Sequence, residues 1–139
     1  MNANELMIGD WVMADHPVRI DMLSNEDVVT YQDVDGYKVV PTRKLNPIPL
    51  TPEILEKNGF FVDRYEEECV ADYTFIKKPI YRYDEGTDFA IEFDGWALRI
   101  INDFPEREIS INSDTSEKLF VHELQHALHL CGIEKDIIV

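Results

Sequence analysis

Hydrophobic positions in the first third of the chain recur with the period of short, half-buried β-strands. Val18, Ile20 and Met22 alternate with the charged Arg19 and Asp21, and such alternation places apolar side chains on one face of a strand. Together with the turn residues between segments, the pattern predicts strands at Trp11–Ala14, Val18–Leu23, Asp27–Tyr31 and Gly36–Val40. Four short strands in so few residues predict an SH3-like β-barrel or a small curled sheet.

A proline-rich connector, 45–50, follows these strands and is expected to be extended. A short helix begins after it. Thr51 is a favourable N-cap and Pro52 suits the first helical position. Gly59 stands where a helix commonly ends in a left-handed residue. The sequence therefore predicts a helix over 52–58.

The second half of the chain predicts an antiparallel meander of about four strands. Asp94-Gly95 is a tight-turn sequence between two hydrophobic segments. The acidic run Glu66–Glu68 is expected to be a solvated loop. The candidate strands are 73–78, 80–83, 88–93 and 96–101, with one more at 108–112.

The last predicted element is an amphipathic helix from about Thr115 to Leu130, with Asp114 at its cap and Gly132 at its end. The predicted fold class is α+β, with the meander packed by this helix. Two units are expected, residues 1–46 and 47–139, or one compact unit of both. The apolar helix face is expected to contain Phe120, Leu124, Ala127, Leu128 and Cys131.

The C-terminal helix contains the sequence H-E-x-x-H at His122–His126. In zinc hydrolases, two histidines four residues apart hold the metal and the intervening glutamate, here Glu123, acts as general base on the bound water. One common version of the motif adds a glycine seven residues after the first histidine and a histidine ten residues after it. His129 and Gly132 occupy those positions here, so that version of the third ligand is missing.

Helical geometry gives a second test of this motif. At about 100° per residue, His122, His126 and His129 fall within an arc of about 60°, nearly opposite the apolar face. We therefore expect the three histidines to face solvent as ordinary surface residues, and expect no cofactor. Two alternatives remain, a weak zinc site formed by the three histidines and a zinc hydrolase that uses Glu123.

The charge balance restricts the partners. The 139 residues include 13 basic and 28 acidic side chains, for a net charge of −15, which repels nucleic acids and anionic membranes. The charge is expected chiefly to keep the protein soluble. It also fits an interaction protein with basic partners, the partner itself being unknown, and an acidic DNA-mimic inhibitor is a further alternative. Neither a signal peptide nor an apolar run of about 18 residues is recognisable, so a cytoplasmic protein is expected. Cys69 and Cys131 are expected to be reduced, with a single bridge as the alternative.

Aromatic residues supply the candidate binding surface. Trp11, Tyr31, Tyr37 and Trp96 lie in or beside predicted strands, and small barrels and open sheets often bind partner peptides on aromatic faces or exposed edges. The sequence carries no phosphate-binding loop, dinucleotide-binding glycine pattern or nucleophile elbow. The expected function is therefore that of a non-catalytic accessory protein that binds another protein.

Three segments, NANELMIGDWVM, LNPIPLTPEILEKNGF and FVHELQHALHLCGIE, together resemble a family of short proteins without assigned activity. That family is widespread in Bacteroidetes, and many members are carried by prophages or other mobile elements. Its C-terminal segment often resembles V-H-Q-L-Q-N, which His122, Leu124 and Gln125 match and from which Glu123 and His126 depart. The resemblance implies a mobile-element origin and argues further against a protease. It does not indicate any particular activity, since the family has none assigned.

Overall fold

The structure is a computed structural model that describes residues 1–86, 89–103, 106–112 and 119–139, with side chains at all of these except 85, 102, 103, 106–109, 111 and 112. It shows an α+β fold dominated by two antiparallel sheets. The chain divides into two compact units, Met1–Leu50 with Phe120–Val139, and Thr51–Leu119. Within the described residues, no helix is long and apolar enough to cross a membrane.

Ten strands and two α-helices make up the described elements, with short 3-10 turns at Ala3–Glu5 and Thr42–Lys44. In chain order they are β1 (Trp11–Met13), β2 (Pro17–Leu23), β3 (Val28–Asp33), β4 (Gly36–Pro41), β5 (Asn46–Pro47), α1 (Pro52–Lys57), β6 (Phe61–Ala71), β7 (Thr74–Glu85), β8 (Phe89–Phe93), β9 (Ala97–Asp103), β10 (Glu106–Asn112) and α2 (Val121–Leu130).

The first unit contains a five-stranded sheet in the order β4-β3-β2-β1-β5. The four strands predicted from the N-terminal alternation are confirmed within a few residues at their ends. Alternation buries Val18 and Ile20 of β2 beside Val12 and Val29, and this burial of apolar side chains on one face stabilises the sheet. The SH3-like barrel itself stays a prediction.

Helix α2 belongs to this first unit, so the chain divides differently from the predicted boundary at residue 46. It packs against β1. The predicted start near Thr115 lies outside the described residues. Within them the helix begins at Val121, because Phe120 is extended and forms a β-bridge with Pro49. The predicted cap at Asp114 lies outside the described residues. The predicted end is confirmed, since Gly132 has a φ of 71° just beyond the last turn.

The second unit combines α1 with a meander in the order β10-β9-β8-β7-β6. The predicted short helix is confirmed, and the Thr51 hydroxyl accepts a hydrogen bond from Ile54 N at 3.3 Å as its N-cap. The expectation of a loop at Glu66–Glu68 is wrong, because these residues form the middle of β6. On β7, Lys78 stands directly across from Glu66 and Lys77 across from Glu67, and opposite charges on paired strands stabilise a sheet.

The hairpin of β6 and β7 extends beyond the rest of its sheet. Strand β8 pairs with β7 only over Tyr81–Glu85, whereas β6 pairs with β7 back to the tip at Ala71 and Thr74. We call residues 65–79 of this hairpin the arm. Pro79, which cannot donate a hydrogen bond to a neighbouring strand, lies in β7 before the pairing with β8 begins, a position where proline is tolerated. Two segments predicted as separate strands thus form one strand, β7.

Candidate functional site

The glutamine of the H-E-x-x-H stretch joins α2 to the segment before β1. The Gln125 side-chain oxygen accepts a hydrogen bond from Trp11 N at 2.9 Å, and its side-chain nitrogen donates to the Gly9 carbonyl at 2.9 Å. One amide side chain therefore satisfies a backbone donor and a backbone acceptor, as a neighbouring strand would. Gly9 has a φ of 95°, a left-handed conformation that glycine adopts without steric cost.

Between these two anchored residues lies a buried carboxylate. Asp10 is only 2% exposed, and its two oxygens lie 3.0 and 2.9 Å from His126 Nε2. The backbone N–H of Met7 donates to Asp10 Oδ2 at 2.7 Å. A buried carboxylate requires such partners, so His126 serves the fold here. Sequence analysis did not identify Asp10, because its partner lies 116 residues away and no local pattern reports such a contact.

The glutamate of the motif caps the N-terminus of its own helix. Glu123 is the third helical residue, and its Oε2 accepts a hydrogen bond from Phe120 N at 2.8 Å. This is one half of a capping box, in which a glutamate side chain satisfies a backbone N–H that the helix leaves unpaired. The Glu123 carboxylate is therefore engaged in helix capping, whereas a zinc hydrolase needs it directed at the metal-bound water.

His122 lies inside the unit. It is 6% exposed and stacks on Phe120, with ring centroids 6.0 Å apart. Burial lowers the pKa of His122, and the opposing effect of nearby carboxylates such as Asp10 is smaller. Its Nδ1 has no hydrogen-bond partner among the described residues. The expectation that all three histidines face solvent is thus wrong for His122. It holds in part for His126, whose side chain is 27% exposed, and fully for His129.

These positions do not fit the proposed zinc site. His126 Nε2 is directed at Asp10 and Glu123 caps the helix. In the part of the chain that the structure describes, no group of three or more histidine, cysteine or acidic side chains is arranged to hold a metal ion. His126 and Glu123 are thus engaged in structural contacts, so we derive no metal-dependent step.

A groove of about 470 Å³ runs beside this contact, lined by residues from the segment before β1, from α2 and from the C-terminal tail. His126 and His129 lie along it. Arg19, another lining residue, donates to Asp136 at 2.9 Å across the groove and to the Gly9 carbonyl at 3.1 Å. Arg19 is thus paired with a carboxylate of the same unit, so we do not assign it as a binding site for an anionic ligand.

The four aromatic residues proposed as a binding surface occupy different environments. Tyr37 and Trp96 are exposed, at 70% and 46%. Trp11 is half-buried, and its Nε1 donates to the Ile137 carbonyl at 2.8 Å, which ties the C-terminal tail to β1. Tyr31 lies in the core of the first unit, so it is not part of a surface. No single surface of one unit contains all four.

The second unit holds a buried charge cluster that the sequence analysis missed. Glu92 on β8 is 3% exposed and accepts hydrogen bonds from Arg64 at 2.7 and 3.1 Å, from Arg82 at 3.4 Å and from Arg99 at 3.0 Å. These arginines lower the pKa of Glu92, with Arg64 contributing most. The predicted two-residue turn at Asp94-Gly95 would pair Glu92 with Ala97, whereas the observed turn is longer and pairs Glu92 with Arg99, so the sequence did not indicate this contact. Further acids pair with Arg64 and Arg82, which identifies a structural network.

The arm exposes large apolar side chains with no role in either core. They are Tyr65, Val70, Tyr73, Phe75 and Ile76. Tyr73 at the tip is 93% exposed and has a φ of 55°. An aromatic residue rarely adopts this left-handed conformation, since a Cβ makes it cost on the order of 1 kcal/mol or more. Strained, exposed residues of this kind are concentrated at functional sites.

His122 supplies the first testable prediction. We expect His122→Phe to raise the free energy of unfolding by about 1 kcal/mol at pH 7, because it removes a buried nitrogen without a partner. The wild type loses stability as the pH falls below about 6.5, since the unfolded chain binds a proton that the folded His122 resists, and the variant is expected to lose less. Urea denaturation at pH 5 to 8, followed by Trp11 fluorescence in a Trp96→Phe background, measures both effects.

His129→Gln is the matched control, because it removes an exposed histidine from the same helix. At pH 7 it should leave the stability unchanged within about 0.5 kcal/mol. A His122→Phe variant less stable than the wild type at every pH would contradict the assignment of His122 as a buried, neutral histidine.

Comparison with protein-family models, with curated proteins and with solved structures gave no match.

Proposed function

We propose that this chain is a protein-interaction protein that binds its partner through the arm. The observation that carries the proposal is Tyr73, a nearly fully exposed aromatic side chain held in a left-handed backbone conformation at the tip. Such a residue weakens the hairpin, because glycine or asparagine would form the same turn with less strain. A contribution to binding gives a physical reason for an aromatic side chain at this position.

The rest of the arm supports the same function. Tyr65 and Phe75 are both more than half exposed. They point to the same face of the hairpin, because Phe75 pairs with Cys69, which lies four residues after Tyr65 along β6. Tyrosine and phenylalanine are enriched in the centres of protein interfaces, where they bury a large area with few rotatable bonds. A two-stranded projection carrying them can enter a groove of another protein.

A photo-crosslinking amino acid at position 73, introduced in the natural source of the chain, tests the proposal. We expect one protein to be crosslinked that is not crosslinked from position 34, where Val34 is equally exposed in a turn of the first unit. The partner is then purified and its affinity measured by calorimetry. Phe75→Ser should weaken binding at least 10-fold, because a central apolar anchor of an interface costs more than about 1 kcal/mol when truncated, and Val34→Ser should leave it unchanged. Equal affinity for both variants would rule the proposal out.

Tyr73→Gly separates the two roles of the tip. We expect it to raise the unfolding free energy of the second unit by about 0.5–1 kcal/mol, because glycine relieves the left-handed strain, and to weaken partner binding. Trp96 fluorescence during urea denaturation, in a Trp11→Phe background, measures the stability. A variant that is less stable than the wild type would show that Tyr73 supports the fold instead.

A further inference from the structure

Strand β6 is the outer strand of the second sheet. Its pairing with β7 is regular from Arg64 to Cys69, and irregularities flank this stretch at Val62/Arg64 and at Cys69/Ala71. An outer strand presents backbone N–H and C=O groups on its free side, to which an extended segment of another chain can add. The regular stretch has six residues, about the length of a typical strand.

On one face of this stretch, apolar and acidic side chains follow each other in a defined order. Tyr65, Glu67 and Cys69 point to the same side, because side chains alternate along a strand, and all three are exposed. Glu66 and Glu68 on the opposite side lie 3.1 Å from Arg64 and 3.7 Å from Lys78. Along β6, Glu67 lies between Tyr65 and Cys69, so the outer strand itself has the order apolar, acidic, apolar. On the inner neighbour β7, Lys77 stands across from Glu67 and Phe75 stands across from Cys69.

We infer that the edge of β6 binds an extended segment of a partner protein with the complementary order apolar-x-basic-x-apolar, added as a sixth strand. This rests on the proposed function and specifies its mode. A lysine or arginine at the central position faces Glu67, and the flanking apolar side chains cover Tyr65 and the Cys69–Phe75 pair. The net charge of −15 attracts a basic segment at long range.

A second copy of this chain is the less favourable occupant. Full antiparallel overlap of residues 64–69 with the same stretch of another copy places Glu66 opposite Glu67 twice. Like charges directly opposite each other destabilise paired strands. The same acids that attract a basic partner therefore oppose self-association through this edge.

A displayed library of random twelve-residue peptides, selected on the full-length chain, tests the inference. We expect enrichment of peptides with the apolar-x-basic-x-apolar order. Selection on Glu67→Lys should instead enrich an aspartate or glutamate at the central position. The best wild-type peptide should bind Glu67→Gln about 5-fold more weakly, the upper end for one exposed charge pair, and its affinity should fall as salt rises.

Strand addition has its own signature in the peptide backbone. Methylation of alternate peptide nitrogens blocks one edge of the peptide, so one set of methylated positions should abolish binding and the other set should not. Any of four results would overturn the inference. The selected peptides could lack a central basic residue, or Glu67→Lys could leave the selection unchanged. The two methylation sets could have equal effects, or the free chain could dimerise through β6. If partner binding still requires Phe75 in those cases, the proposed function stands without strand addition. If partner binding is unchanged by substitutions at Phe75 and Tyr73, both the inference and the proposed function are wrong.

Discussion

His126→Ala is expected to lower the unfolding free energy of the first unit by about 2–3 kcal/mol, because it leaves the Asp10 carboxylate buried without its side-chain partner. Asp10 is almost completely buried, whereas a quarter of the His126 side chain reaches solvent. Water can therefore enter the space that alanine leaves, and we place the loss below that of a fully enclosed pair. Urea denaturation followed by Trp11 fluorescence, in a Trp96→Phe background, measures the change.

Two further variants on the same helix sharpen this result. His126→Gln retains a donor that can reach Asp10 and should recover part of the lost stability. His129→Ala removes the exposed histidine and should change stability by no more than about 0.5 kcal/mol. If His126→Ala and His129→Ala are equally mild, the contact between His126 and Asp10 does not hold α2 to the first unit.

The strands of the first sheet could be predicted because their signal is local. Val18 and Ile20 alternate with charged residues, and turn residues separate the segments, so each strand is specified within a few positions. Strand β6 carries no such signal, because three consecutive glutamates occupy its middle. What makes it a strand is the pairing with Lys77 and Lys78 on β7, which becomes recognisable only once the register of the hairpin is known.

The C-terminal motif shows the limit of a helical wheel. The wheel correctly placed Leu124, Ala127 and Leu128 on the buried face, since their spacing alone defines an apolar stripe. It could not show that residues 7–10 of the chain cover the opposite side. The partner of His126 lies more than a hundred residues away, and periodicity within one segment carries no information about such a contact.

Structural contacts engage most of the H-E-x-x-H stretch. Leu124 packs in the core, Gln125 takes the place of a neighbouring strand and Glu123 caps the helix. Because these roles are structural, substitutions at these positions should lower the stability of the first unit and leave the affinity for the partner largely unchanged. Substitutions in the arm should do the reverse, since its exposed apolar side chains lie outside the core. This contrast separates the fold of the first unit from the proposed function of the second.

Glu92→Ala is expected to lower the unfolding free energy of the second unit by about 2–4 kcal/mol. The substitution removes the carboxylate shared by Arg64, Arg82 and Arg99, so three cations remain close together without it. The loss stays below the full cost of unpaired buried charges, because each arginine is a quarter to two fifths exposed and solvent screens it. Trp96 fluorescence in a Trp11→Phe background reports the unfolding of this unit.

The pH dependence distinguishes the charge of Glu92 from its packing. Because the arginines lower its pKa, Glu92 stabilises the fold fully above the unfolded pKa of about 4.3. That contribution is lost as the pH falls through the lower, folded pKa. Glu92→Gln keeps the shape of the side chain and should lose less stability than the wild type on acidification below about pH 4.3. Parallel acid curves for the wild type and Glu92→Gln would show that the arginines do not depend on the Glu92 charge.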